Sequence, residues 1–142
     1  MQNPVKFIFV AIIALMLTNN VAFAENEAKS FVSSGEVKFN AHDYHGAITD
    51  YTKALEINPK LPEAYLNRGF AKRSSGDAEG ARADFKKSIE IDPTPKDAAA
   101  YYNRALAKSA LGENESALSD YRRAATHGDA NAKKWLKNNG YN

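Results

Sequence analysis

Few side chains in this sequence have the types and spacing that chemistry needs. His42 and His45 stand three apart with Asp43 between them, and two imidazoles with a carboxylate could hold a divalent transition metal. Metal sites in proteins usually take three or four protein ligands, however; no third imidazole lies near this pair, and His127 is single. The chain has no cysteine, which excludes thiolate ligands, disulfides and a thiol nucleophile. Neither a glycine-rich phosphate loop nor the G-x-S-x-G and H-E-x-x-H patterns occur. A metal-binding protein or small hydrolase using His42, Asp43 and His45 is one rival reading, but no catalytic residue, metal or cofactor is expected.

A second pattern is ionic. Arg68 and Asp84 share an offset of 16 with Arg104 and Asp120, which suits an ion pair between two successive helices, with a ligand site as the alternative. Asp50 has Ser34 at that offset, so it is expected to face a neighbour such as Arg68. Lys38, Lys72 and Lys108 recur as well, and are expected to form a solvated or snorkelling row.

The elements that must position these groups come from a chain of 142 residues, 44% hydrophobic and 25% charged, with a formal net charge of +2. Ordinary globular composition with near-balanced charge argues against disorder and against a general nucleic-acid-binding surface. At the front, Lys6 precedes an apolar run of 11 residues, Phe7 to Leu17, too short to cross a bilayer comfortably. Val21-Ala22-Phe23-Ala24 then puts small residues at −3 and −1 of a cut between Ala24 and Glu25. That layout is a secretory signal peptide over 1–24, which predicts a mature domain of 118 residues, periplasmic or secreted, with no stable membrane insertion after cleavage. An uncleaved anchor is the alternative.

The mature part repeats itself. Pro59 and Pro93 lie 34 residues apart, closing blocks that begin at Ala28 and Pro62, and a third block runs from about Ala98 to Asp129 after a two-residue lengthening. Apolar periodicity divides each block into two helices of about 13 residues around turns at His42-Asp43, Gly76-Asp77 and Gly112-Glu113. Pro62 and Pro95 suit first turns of helices. Small residues (Gly35, Gly69, Ala105; Ala47, Ala81, Ala117) let backbones approach, and Tyr51, Phe85 and Tyr121 fill the space between. A seventh helix over Ala130 to Asn138, capped by Asp129, should cover the last open face with Ala132, Trp135 and Leu136, leaving Asn139 to Asn142 loose.

The 34-residue helical pair with small residues and a closing proline at these places resembles the tetratricopeptide repeat (TPR) family over Ala28 to Asp129. Three departures stand out: Ser34 for Arg, Ser88 for Ala, and no proline at Asp129. The resemblance implies an all-α right-handed superhelix whose first helices line a concave groove. By position, the groove would show Lys29, Val32, Ser33, Glu36 and Asn40, then Glu63, Leu66, Asn67, Phe70 and Ser74, then Tyr102, Asn103, Leu106 and Ala110. Leu66, Phe70, Tyr102 and Leu106 would form an apolar strip, and the carboxamides of Asn67 and Asn103 could donate to and accept from a peptide backbone. Basic clamp residues that grip chaperone tails in some relatives are replaced by Val32, Glu36 and Ala99. The expected function is an exported protein-interaction module that binds a peptide or protein segment, with a self-associating assembly piece as its rival.

Overall fold

The computed structural model describes the backbone of residues 4–141 and the side chains of residues 20–141. Among the described residues there are seven helices and no strand: α1 Pro4–Asn40, α2 Tyr44–Ile57, α3 Pro62–Ser74, α4 Ala78–Ile91, α5 Ala98–Ala110, α6 Asn114–Thr126 and α7 Ala130–Asn138. Helices pack in the pairs α1 with α2, α3 with α4 and α5 with α6, and each pair stacks on the next, with α7 on α6. The result is an all-α stack of helical repeats. The capping helix falls where the sequence places it.

Helix α1 is far longer than the expected first helix of the repeat. Between Val5 and Ser34 there is no proline or glycine to stop it, so it passes through Ala24 and Glu25 without a break. Most of the expected leader, residues 1–19, lies outside the residues whose side chains are described. Among the described residues no helix is long and apolar enough to cross a membrane. Pro62 does open α3, but Pro95 lies in the connector as a buried residue. Helix α5 starts later because the Asp97 carboxylate accepts the Ala100 amide at 2.8 Å and so defines the N-cap.

Every helix-to-helix turn within a repeat, and the one that leads from α6 into α7, uses one left-handed residue. Gly76, Gly112 and Gly128 have φ of 94°, 84° and 100°, and the next amide returns to the carbonyl five residues earlier at 2.9 Å. The first repeat has His42 at this place with φ 62°, and Asp43 N donates to Lys38 O at 2.9 Å. A side chain there costs about 1 kcal/mol, partly offset by the greater chain entropy of glycine. His42→Gly is therefore expected to raise the thermal midpoint by about 2 °C. An unchanged or lower midpoint in calorimetry would show that the 2.9 Å contact of His42 Nδ1 with the Tyr44 hydroxyl outweighs the strain.

Large rings lie across small residues. A Cβ on Gly35 would stand 2.6 Å from the Tyr51 ring, and one on Gly69 would stand 2.7 Å from Phe85. In the third repeat Ala105 takes this place, and Tyr121 is instead pressed on Trp135, ring centroids 3.9 Å apart and nearly parallel. The tail is tied down: Tyr141 N donates to Leu136 O at 2.9 Å and its ring lies parallel to Trp135 at 6.0 Å. Burial pushes the Tyr51 and Tyr121 hydroxyls up to about 12 from an ordinary value of 10.0. A raised value means the stabilisation is complete below pH 10 and is lost as pH climbs toward 12, where the unfolded tyrosines ionise first. Alkaline titration should therefore show helix loss coincident with tyrosinate absorbance in that window. Tyr51→Phe with Tyr121→Phe should move the onset to higher pH, and an unmoved onset would assign it to other groups.

Three buried aspartates tie the pairs together. Arg68 donates twice to Asp84, both at 2.8 Å, and Arg104 does the same to Asp120 at 2.8 and 2.7 Å. Lys72 and Lys108 add a second cation at 2.9 and 2.7 Å. The lysines are thus partners of buried carboxylates rather than a solvated row, because a dehydrated carboxylate needs more donors than one guanidinium supplies. Asp50 does not turn to Arg68; it accepts Ser34 Oγ and Lys38 Nζ, each at 2.6 Å. Arg68 instead spends its remaining nitrogen on Thr52 at 3.2 Å, which stitches the second repeat to the first. Ser88, the departure from alanine, donates to Pro62 O at 2.8 Å.

Candidate functional site

The first helices α1, α3 and α5 lie side by side, α1 against α3 and α3 against α5. Between α1 and α3 is a hollow of about 280 Å³ lined by Glu36, Phe39, Asn40, Tyr51, Asn67 and Phe70. Its rim is polar: Asn67 Nδ2 donates to Glu36 Oε1 at 3.1 Å, across the two helices. Its floor is aromatic, with Phe70 set edge-on to Phe85 at 5.1 Å. Four of the expected groove residues, Glu36, Asn40, Asn67 and Phe70, meet here.

Asn103 lines a separate hollow of about 200 Å³ between α3 and α5, with Glu63, Asp92, Asp97 and Arg104. Ser33 is exposed on α1 and lines neither hollow. Two expected groove residues are core instead: Val32 is 6% exposed in the cluster around Tyr51, and Leu66 is 2% exposed beside Phe85 and Ala107. Both lie on the edge of the helix face that meets the second helix, where a branched side chain is drawn inward by apolar neighbours. Leu106 is partly buried between two clusters, and Tyr102 is half-buried, edge-on to Tyr121 at 5.8 Å. The apolar strip is accordingly reduced to partly covered surface at Phe70, Tyr102 and Leu106.

Two lining residues escaped the sequence reading. Phe39 stands three residues after Glu36 on α1, so helical spacing alone puts it beside the groove, and Tyr51 reaches through from α2 because Gly35 leaves its ring room. Asn67 also differs from expectation. Its amide nitrogen is engaged by Glu36, which takes up one of its donor positions.

The histidine cluster has other work. His42 contacts the Tyr44 hydroxyl, and the Asp43 carboxylate accepts the Gly46 amide at 2.9 Å as the cap of α2. No group of three or more His, Cys, Asp and Glu among the described residues is placed to hold a metal ion.

A TPR repeat model matches residues 35–72, and a tetratricopeptide repeat model matches residues 62–95 and 98–126. Among solved structures the chain is similar to the first TPR domain of human RPAP3, with 25% identity, a TM-score of 0.59, and coverage of 80% of this chain and 90% of that one. The Sgt2 TPR domain from Aspergillus fumigatus is 28% identical, with a TM-score of 0.58 and coverage of 79% and 76%. The first TPR of Spaghetti (RPAP3) bound to the HSP90 peptide SRMEEVD is 25% identical, with a TM-score of 0.57 and coverage of 80% and 90%. No curated protein sequence matches the chain.

Proposed function

The chain belongs to the tetratricopeptide repeat family, and on that premise we propose that it is an exported, non-catalytic docking module of the cell envelope that holds a peptide or partner segment along α1, α3 and α5. The observation that carries the reading is the hollow between α1 and α3, which joins an aromatic floor to a rim that carries the Asn67 carboxamide. Such a floor takes a side chain, and the carbonyl takes a backbone amide. One neighbour supports it in kind, being a TPR domain bound to a peptide. That peptide is rich in carboxylates, whereas the clamp places of this chain hold Val32, Glu36 and Ala99, so an acidic tail is not the proposed ligand. Export is supported by the layout of residues 1–24.

Cross-linked capture from envelope extract tests the reading, with tagged wild type beside the Asn67→Ala, Phe70→Ala variant. The expected result is a partner recovered at least tenfold better by the wild type, with the helical signal of the variant unchanged. Equal recovery would sink the groove, and recovery of the bait alone would favour self-assembly. In the same preparation, an intact mass that retains residues 1–24 would remove the cleaved leader.

A further inference from the structure

The charge of the groove says what the bound segment carries. Glu36 stands on the rim of the first hollow, and no cation pairs with it among the described residues. One turn back along α3 from Asn67, on the same face, Glu63 enters the second hollow, where Asp92 and Asp97 also lie. Glu63 forms no ion pair among the described residues, whereas Asp92 shares the hollow with the Arg104 guanidinium and acts on its charge. Three nearby cations are engaged elsewhere: Arg104, which itself lines the second hollow, is bidentate on Asp120, Lys38 is on Asp50, and Arg73 lies over the Phe70 and Phe85 rings at 5.0 and 5.7 Å.

The chain as a whole is slightly cationic, so unpaired carboxylates at these hollows do not simply follow from its net charge. Carboxylates by themselves would make no site; here they flank an aromatic hollow large enough for one apolar side chain. We propose that the groove takes a partner segment in which an apolar side chain is flanked by lysine or arginine. The apolar side chain enters between Phe39, Tyr51 and Phe70, one cation meets Glu36, and the next meets Glu63. Charge complementarity of this kind steers encounter and rejects acidic segments. The proposal rests on the groove reading above.

The test is fluorescence anisotropy of the purified full chain with three labelled synthetic peptides of equal length, alternating Leu with Lys, Leu with Glu, and Ser with Lys. The Leu/Lys peptide should bind at least tenfold tighter than either other peptide, with affinity falling as salt is raised. Glu36→Gln with Glu63→Gln, both outside the core, should weaken it about fivefold to tenfold and leave helicity unchanged. Equal or tighter binding of the Leu/Glu peptide overturns the charge assignment. If that acidic peptide is then lost with Phe70→Ala, or with Asn67→Ala should the first variant fail to fold, the groove stands and only its charge preference falls. Absence of binding by all three peptides, or binding that neither variant alters, overturns both.

Discussion

Asp120→Ala is expected to lower unfolding stability by about 3–5 kcal/mol, because it leaves two cations with little water and no counter-charge. Arg104 and Lys108 have side chains only 13% and 14% exposed, and both donate to this one carboxylate, itself 3% exposed. Urea unfolding followed by circular dichroism measures the loss. Asp50→Ala should cost less, since Lys38 is 39% exposed and Ser34 is neutral. Adding Arg104→Met and Lys108→Met to Asp120→Leu should recover much of the loss, and a single-site loss below about 1 kcal/mol would show the triad to be hydrated. Burial alone would raise the Asp120 carboxyl, but hydrogen bonds from Arg104 and Lys108, with their charges, hold it below the usual carboxylate range. A lowered value means its contribution is present above the unfolded value of about 3.9 and is lost as pH falls through the folded one. Asp120→Ala should therefore flatten the acid limb of the stability curve.

Phe85→Ala carries the other large effect, again about 3–5 kcal/mol, by leaving a cavity under the central repeat. Phe85 is 2% exposed; it lies across Gly69, meets Phe70 edge-on and shares a cluster with Leu66 and Ala107, so it belongs to α3, α4 and α5 at once. In a stack where each unit holds only its neighbours, loss at the centre weakens both interfaces. Amide exchange should accordingly quicken in all three repeats. Trp135→Ala, at the end of the stack, should quicken exchange in α6 and α7 while sparing α1 and α2. Quickening confined to α3 and α4 in the Phe85 variant would show that the repeats open independently.

Much of this architecture is legible in one sequence because punctuation recurs. A left-handed turn residue, a capping aspartate and a closing proline at fixed distances locate α2 to α4, and Asp129 with Ala132, Trp135 and Leu136 locates α7 to the residue. Depth is less legible. Val32 and Leu66 share a repeat position with the half-buried Tyr102, and packing against neighbouring helices, not position, decides that they are core. The lysine row was misjudged for a related reason: a sequence shows a cation's spacing but not that the opposing carboxylate is dehydrated. For the candidate site, Glu36, Asn40, Asn67 and Phe70 were found from repeat position, while Tyr51 could not be, since it reaches the hollow from the far helix past a missing Cβ.

The connector between α4 and α5 gives the solenoid an uneven stiffness. Its residues Asp92 to Asp97 include Pro93 and Pro95, it is longer than the link between α2 and α3, and α4 meets α5 over a smaller surface than α2 meets α3. A coiled spring with one soft turn puts nearly all of its strain into that turn. Here the soft turn borders the second hollow, which draws its lining from α3, the connector and α5, so twisting at the joint reshapes that hollow while the first, between α1 and α3, keeps its form.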